Sequence, residues 1–224
     1  MMRSLTIDTL ATKMAELGLP GGWWYPDAER EACRARTLRG CRDADLWVFA
    51  YGSLMWDPGL HFCEVRRAHL PGHQRRFILK DIYGGRGTPD RPGLMAALDT
   101  APDSAGCDGL LFRIAQADIE QETEVLWRRE MIGPAYLATF VEARVDDAPV
   151  TALTFVADHA AELIDATLDR DAALACFTTG AGFMGSSLDY LRNVDDKLHV
   201  LGVADRGVAE LRRAAEARLA AQAG

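Results

Sequence analysis

Hydrophobic and polar positions divide the chain into a helical beginning and a strand-rich centre. Apolar residues three or four positions apart predict a short helix over residues 4–17, and residues 28–39 form a second, more polar helical pattern. From residue 46 onward, short apolar or alternating runs between Gly, Pro and Asp residues predict strands. The strand patterns read LWVFAYG, EVRRAHL, HQRRFILKD, GLMAALD and CDGLLFRI, followed by AYLATFVEARV and PVTALTFVAD as a hairpin that turns at residues 146–147.

Helical periodicity returns once among the strands and dominates the end of the chain. The segment AQADIEQETEVLWRREM predicts a helix between strands, and later helices are predicted over RDAALACFTT, LDYLRNVDDKLHVLG and GVAELRRAAEARLAAQ. Many short strands in roughly 110 residues favour a closed or strongly curled sheet. We therefore predict an α+β protein, with a compact, β-barrel-like mixed sheet and flanking helices over residues 45–224. Residues 1–44 are predicted to be an N-terminal helical extension.

Composition narrows the class of protein. The 224-residue chain has a net charge of −8 at pH 7, whereas a nucleic-acid binder usually carries a basic face. No segment approaches the roughly 18 uninterrupted apolar residues of a membrane helix, and the first residues lack a signal peptide's apolar core. The five cysteines are widely spaced without a CxxC pair, which fits reduced thiols. We expect a cytoplasmic protein that binds neither nucleic acid nor membranes.

Two patterns resemble known binding motifs but lack the required context. The segment GAGFMG, from Gly180 to Gly185, matches GxGxxG, yet it follows a helical pattern instead of a strand. We interpret it as a glycine-rich loop between helices. His69 and His73 have the i, i+4 spacing of a metal pair, but an intervening Pro-Gly prevents a regular helix. Loop or surface histidines are the preferred interpretation.

The helix that precedes residue 131 places a carboxylate on its apolar face. At 100° per residue, Ile119, Leu126 and Glu130 fall within about 40° of one another. No basic residue lies three or four positions from Glu130, and an inward carboxylate without a local partner is costly to bury. This pattern favours a proton-transfer group, although a frayed helix end or a distant arginine partner would also explain it. The other acidic residues of the helix are predicted to lie to the sides or behind, at Glu120, Glu122 and Glu124.

The first strand pattern ends abruptly in Tyr51, Gly52, Ser53 and Leu54. A Gly-Ser pair directly after a buried strand lets the backbone bend and leaves amide N–H groups available. Several such amides that point into one cavity form a nest for an anion, for example a small carboxylate. A simple turn is the alternative interpretation of this segment taken alone.

Taken together, these segments resemble the γ-glutamylcyclotransferases, and specifically their ChaC branch. The segment VFAYGSLMWDPG is similar to the signature loop of that family, and LWRREMIGPAYL resembles its helix end with Arg-Glu and a following Tyr. Further similarity lies in LPGHQRRFILKDIYGGRGTPDRPGLMAALD, CDGLLFRI, GFMGSSLDYLRN and LHVLGVADRGVAEL. The resemblance covers about residues 46–213 in one order, and residues 1–44 lie outside it.

The resemblance implies a γ-glutamylcyclotransferase-like fold and a lyase that cleaves glutathione by cyclisation to 5-oxoproline and Cys-Gly, without a cofactor. Glu130 occupies the family's acid/base position, and the loop from Tyr51 through Gly52 and Ser53 to Leu54 would hold the substrate's α-carboxylate. Weaker assignments by the same resemblance are substrate contacts from Arg76, Tyr136 and Tyr190. A structural salt bridge is an equal alternative for Arg76, and packing is an alternative for both tyrosines. We expect a monomer.

Two other functions remain open from the sequence. Asp81 and Tyr83 stand where small polar residues are usual in the family, which motivates cyclotransfer on another γ-glutamyl amine or amino acid. A non-catalytic module that senses a metabolite is the second alternative. The carboxylate of Glu130 disfavours a pure binder, because binding has no need of a proton-transfer group.

Overall fold

The computed structural model describes residues 3, 6–41 and 43–223, and this part of the chain contains six α-helices and nine strands. The helices are α1 Ile7–Glu16, α2 Asp27–Thr37, α3 Ile119–Glu130, α4 Arg170–Thr179, α5 Ser187–Val200 and α6 Arg206–Ala223. The strands are β1 Leu46–Ala50, β2 Glu64–Leu70, β3 His73–Asp81, β4 Gly93–Thr100, β5 Cys107–Ile114, β6 Tyr136–Val145, β7 Ala148–Ala157, β8 Ala181–Gly182 and β9 Gly185–Ser186.

Five strands close into a barrel in the order β1-β5-β2-β6-β7, and β7 returns to β1 through a parallel pairing of Leu153 with Val48. β1–β5, β5–β2, β2–β6 and β6–β7 are antiparallel. β4 continues the sheet from β7, and β3 forms its edge. The α+β class and the barrel-like sheet predicted from the sequence are therefore confirmed.

Local turn chemistry accounts for several of the predicted strand boundaries. The hairpin of β6 and β7 turns at Asp146 and Asp147, whose φ angles of 48° and 67° match the positive values of a type I′ turn. β2 and β3 separate at the Pro-Gly turn of residues 71–72, as predicted. The two strands do not pair with each other, because β2 lies between β5 and β6 whereas β3 pairs with β4.

The main hydrophobic core lies between the sheet and the helices. Trp127 of α3 packs edge-on against Phe155 of β7 at 5.4 Å between ring centroids, and Phe177 of α4 packs against Phe77 at 5.3 Å. Leu191 and other apolar residues of α5 complete this cluster. The core therefore holds the C-terminal half of α3 and the first turn of α5 against one side of the sheet.

Two arginines anchor the N-terminal segment to α3, of which Arg34 is buried and Arg3 is partly exposed. Arg3 forms two hydrogen bonds to Glu122, with Nη1–Oε2 and Nη2–Oε1 distances of 2.6 and 2.7 Å. Arg34 of α2 donates to the Thr123 hydroxyl at 2.8 Å. Glu122, which helical periodicity places to the side of α3, has a side chain that is 1% exposed, because residues distant in sequence cover that face.

The GAGFMG segment and the histidines at positions 69 and 73 are structural elements. Residues 180–185 form the tight hairpin of β8 and β9 between α4 and α5, which refines the predicted loop. His69 contacts Asp108 at 3.0 Å, whereas His73 contacts Pro71 O. Among the described residues no helix is both long and apolar enough to cross a bilayer, and no group of three His, Cys, Asp or Glu side chains is arranged to hold a metal ion.

Candidate active site

A cavity of about 190 Å³ lies where the turn after β1, the end of α3, the start of β6 and the first turn of α5 meet. Glu130, Ser53, Tyr136 and Tyr190 all line it. Ser53 and Tyr190 are far in sequence from Glu130 and Tyr136, and the barrel brings Ser53 close to Tyr136 because β1 and β6 are both neighbours of β7. The cavity therefore joins the two features that the sequence singled out separately.

Glu130 is the last residue of α3, and its side chain is 14% exposed. Its Oε1 accepts a hydrogen bond from Nε of Arg129 at 2.7 Å. The prediction of a carboxylate without a local partner was therefore wrong. Adjacent residues normally diverge on a helix, but α3 ends here and the long arginine side chain folds back onto its neighbour.

Arg129 ties the carboxylate to the loop after β1. Its Nη1 donates to the carbonyl oxygens of Asp57 and Pro58 at 2.6 and 2.8 Å, and its Nη2 lies 3.4 Å from Ser53 Oγ. Its side chain is only 1% exposed. A buried guanidinium with several donors in use fixes the groups around it. Arg129 is thus a site residue that periodicity missed, although the Arg-Glu pair at the helix end was visible in the sequence.

The loop after β1 contains a tight turn and packs closely against the Tyr190 hydroxyl. Residues Ser53–Met55 form one 3-10 turn, whose first backbone hydrogen bond runs from Met55 N to Gly52 O at 2.9 Å. The turn itself does not use the amides of Ser53 and Leu54, which precede this bond. A Cβ atom at position 52 would lie 2.9 Å from the Tyr190 hydroxyl. Glycine is therefore required for this hydroxyl to approach the loop.

Three tyrosines lie near the carboxylate: Tyr51 and Tyr190 are buried, and Tyr136 is partly buried. The hydroxyl of Tyr51 donates to Phe155 O at 2.9 Å, and that of Tyr136 donates to Ala96 O at 3.2 Å. Burial raises the pKa of Tyr190 to about 12, and burial together with the nearby charge of Glu130 raises the pKa of both Tyr51 and Tyr136 well above the ordinary value. All three hydroxyls consequently stay protonated at neutral pH and act as neutral hydrogen-bond groups.

Three of the candidate side chains do not line the cavity. Arg76 pairs with Asp99 at 2.7 Å and donates to Ala166 O at 2.9 Å, so its contacts match the salt-bridge alternative, and it does not line the cavity. The side chain of Leu54 is buried in the main core, which leaves only its backbone to face a ligand. Tyr51 likewise packs its ring into a smaller cluster of the barrel.

Other residues of the cavity were not singled out by the sequence. The hairpin of β8 and β9 contributes Phe183 and Met184, whose amides donate to Gly84 O and Gly85 O at 2.9 and 2.8 Å. The N-terminal segment contributes Leu10, Met14 and Trp23. Only long-range packing joins these residues to Glu130, and no local pattern indicates it.

Comparison with known proteins assigns the family. Residues 46–218 match the family described as ChaC-like protein, and the chain belongs to that family. The glutathione-specific gamma-glutamylcyclotransferase of Escherichia coli K12 is 33% identical over 187 residues, covering 82% of this chain and 79% of that protein. The glutathione-specific gamma-glutamylcyclotransferase 1 of Rattus norvegicus is 31% identical over 169 residues, with 70% and 71% covered.

A solved structure shares the fold. The crystal structure of a yeast gamma-glutamyl cyclotransferase specific to glutathione superposes with a TM-score of 0.71 at 18% sequence identity. The superposition covers 78% of this chain and 96% of the yeast chain. The resemblance noted in the sequence is confirmed at the level of family and fold.

Proposed function

We propose that the protein is a glutathione-specific γ-glutamylcyclotransferase, a carbon–nitrogen lyase that converts glutathione to 5-oxoproline and Cys-Gly. The observation that carries this proposal is the meeting of Glu130, Ser53, Tyr136 and Tyr190 in one cavity. Two family members that are more than 30% identical to this chain bear the names of glutathione-specific enzymes. The activity given in their names supports the same reaction here.

The loop after β1 would hold the α-carboxylate of the γ-glutamyl group. The amides of Ser53 and Leu54 and the hydroxyl of Ser53 are hydrogen-bond donors, which suit a carboxylate. The buried tyrosine hydroxyls of Tyr136 and Tyr190 add neutral groups beside it. A glutamyl chain held at this end has its α-amine and its γ-carbonyl within reach of each other, so cyclisation becomes an intramolecular reaction.

Glu130 would carry the proton. The α-ammonium must lose a proton before its nitrogen attacks the γ-carbonyl carbon and forms the new C–N bond. The ring nitrogen then releases a second proton, the bond from that carbon to the cysteinyl nitrogen breaks, and the leaving nitrogen takes up both protons and departs as the ammonium of Cys-Gly. One carboxylate can perform both transfers. Arg129 holds Oε1 of Glu130, so Oε2 is the oxygen available for this task, and the reaction as written needs no oxidant, reductant or cofactor.

The two departures from the family pattern act on a loop of the cavity. The Asp81 carboxylate accepts hydrogen bonds from the amides of Tyr83 and Arg86, so it organises the loop instead of facing solvent. Tyr83 lines the cavity directly. Because Tyr83 can contact a substrate in the cavity, cyclotransfer on a different γ-glutamyl donor is the second candidate function. Because Glu130 is paired with Arg129, its carboxylate no longer argues against a non-catalytic binding module. The relatives, which are named as enzymes, still argue against a binding module.

The discriminating experiment measures 5-oxoproline after incubation with glutathione and, separately, with γ-glutamyl-alanine. Product from glutathione alone supports the proposal, whereas product from the dipeptide alone supports the second candidate. The absence of product from both substrates would contradict either enzyme and favour a binding module. A reaction without added protein is the blank, because γ-glutamyl amides cyclise slowly on their own.

We also propose that the chain acts as a cytoplasmic monomer. All five cysteines are free thiols, which suits a reducing compartment. Sedimentation of the purified chain at several concentrations tests the monomer.

A further inference from the structure

One part of the cavity comes from residues outside the region that matches the family. The match begins at residue 46, yet Leu10, Met14 and Trp23 line the cavity. Leu10 and Met14 are 5% and 1% exposed, so they belong to the packed structure and not to a loose tail. We call residues 7–25 the N-terminal wall.

The N-terminal wall is attached on both sides of the cavity mouth. The amide of Tyr25 donates to Ile132 O at 2.8 Å, two residues after Glu130. On the other side, a Cβ at Gly84 would lie 2.1 Å from Leu19 Cδ1, so the wall packs directly on the backbone of the loop after β3. A Cβ at Gly133 would meet Trp23 O at 3.0 Å. Close contacts with backbone at two glycines mark a built interface.

The centre of this wall is an aromatic stack. The Trp23 ring lies parallel to the Tyr83 ring, with 4.2 Å between centroids and 4° between planes. Both residues line the cavity. Stacked rings at this distance attract each other and present a rigid surface, since each ring has only two side-chain torsions.

The chemistry of the lining separates the two halves of the proposed substrate. The hydroxyls and carboxylate at Ser53, Tyr136, Tyr190 and Glu130 suit the charged amine and carboxylate of the glutamyl group. The surface that remains is mainly apolar, with rings and thioethers from Trp23, Tyr83, Met14 and Met184, and it also includes Lys80 and Asp81. Thiols and methylene groups pack well against such surfaces, and the cysteinyl side chain is the apolar part of glutathione.

We propose that the N-terminal wall receives the cysteinyl-glycine half of the substrate, and that the Trp23–Tyr83 stack is its specificity-determining contact. This inference rests on the proposed function, because it assigns the second half of the same pocket. It gives the segment before residue 46 a role in substrate selection. The glutamyl half is bound by residues of the family-matched region alone.

The test compares the two reaction products as separate ligands of the full-length chain. Isothermal titration calorimetry measures Kd for cysteinyl-glycine, kept reduced, and for 5-oxoproline, and a rate assay measures KM and kcat for glutathione. We expect Trp23→Ala to raise the Kd for cysteinyl-glycine and the KM for glutathione about tenfold, as loss of one aromatic contact implies. The Kd for 5-oxoproline and kcat should stay within about twofold, since the glutamyl end is untouched.

Three variants separate recognition from general damage. Trp23→Phe keeps a ring against Tyr83 and should stay within about threefold of wild type. Phe62→Ala removes an aromatic ring that is 40% exposed and lies outside the cavity, so both ligands should bind as in wild type. Tyr83→Leu removes the other ring of the stack and should have the same effects on binding as Trp23→Ala. The two variants test the stack independently, so one of them remains informative if the other folds poorly.

The outcomes distinguish this inference from the proposed function. Unchanged cysteinyl-glycine binding in Trp23→Ala and Tyr83→Leu would overturn the inference. So would an equal loss of 5-oxoproline affinity, an equal effect of Phe62→Ala, or a wild-type chain that does not bind cysteinyl-glycine. A wild-type chain that makes no 5-oxoproline from glutathione would instead contradict the proposed function itself.

Discussion

The two sides of the cavity are built on different principles. On one side, directional hydrogen bonds to defined partners hold the polar groups of Glu130, Arg129, Ser53 and Tyr136. On the other side, the Trp23–Tyr83 stack and neighbouring methionines offer shape and apolar surface. The first side lies entirely in the family-matched region, whereas the second takes part of its surface from residues before it.

This difference between the hydrogen-bonded side and the apolar side indicates which substitutions each side should tolerate. A proton-transfer group acts only within hydrogen-bond reach of the reacting atom, so small displacements on the polar side carry large kinetic effects. Apolar surface is less directional, and swaps that conserve volume usually have small effects. We therefore expect the polar side to govern kcat and the apolar side to govern KM.

The largest effect should come from Glu130→Gln. The amide keeps the shape of the side chain but cannot accept and return a proton, so kcat for 5-oxoproline formation should fall by about a thousandfold. Glu124→Gln on the same helix is the matched control, since that side chain is 56% exposed, and its activity should be unchanged. Near-normal turnover in Glu130→Gln, with folding verified by circular dichroism, would refute the acid/base role.

Removal of the guanidinium of Arg129 should have the next largest effect. Arg129→Met leaves the Glu130 carboxylate and the Asp57 and Pro58 carbonyls without their donor. Breaking a buried ion pair costs about 3 kcal/mol, and we expect that loss in the free energy of unfolding together with a fall of about a hundredfold in kcat.

The neighbouring arginine provides the control for this prediction. Arg128 faces Glu124 at 3.5 Å and is more exposed than Arg129, so Arg128→Met should change the unfolding free energy by less than about 1 kcal/mol. Equal effects of the two substitutions in urea denaturation would show that Arg129 contributes only as any helix arginine does.

The buried tyrosines predict a loss of stability at alkaline pH. Tyr190 has a pKa of about 12 in the folded chain against an ordinary value of 10.0. Its contribution is therefore fully present below about pH 10 and is lost as the pH rises through 12, because only the unfolded chain ionises in that window. Two pKa units correspond to at most roughly 2.7 kcal/mol.

Urea denaturation at about pH 9 and about pH 11 measures this effect. Tyr190→Phe removes the ionising group and keeps the ring that contacts Trp56, so its stability should fall less over that interval than that of the wild type. A fall of the same size in both proteins would place the alkaline sensitivity elsewhere in the chain.

Local features of the fold were predictable because their causes are local. Strand β1 and its Gly-Ser end follow from an apolar run and two turn residues, and the Asp146-Asp147 turn follows from residues that tolerate positive φ. The position of Glu130 on an apolar helix face follows from a 3.6-residue period. These patterns depend on neighbours a few positions apart, which a single sequence displays directly.

The partners of those features were not predictable in the same way. Helical periodicity indicates contacts between residues three or four positions apart, so it does not indicate the hydrogen bond between Glu130 and the adjacent Arg129. Glu122 is buried by Arg3, and Tyr83 is covered by Trp23. Contacts that join residues 60 or more positions apart depend on how the barrel and helices assemble, which no local pattern records. The roles of the site residues in binding and catalysis stay predictions until they are measured.

The smallest effects should come from a pair of near-isosteric substitutions, one on each side of the cavity. Tyr136→Phe removes one oxygen and its hydrogen bond to Ala96 O, so a buried carbonyl loses its donor and kcat/KM should fall about fivefold. Met184→Leu conserves volume on the apolar side and should change KM by less than about twofold with kcat unchanged. Steady-state kinetics with glutathione measures both. If Met184→Leu proves more damaging than Tyr136→Phe, the apolar side is as directional as the polar side, and the division of the cavity into a side that sets kcat and a side that sets KM is wrong.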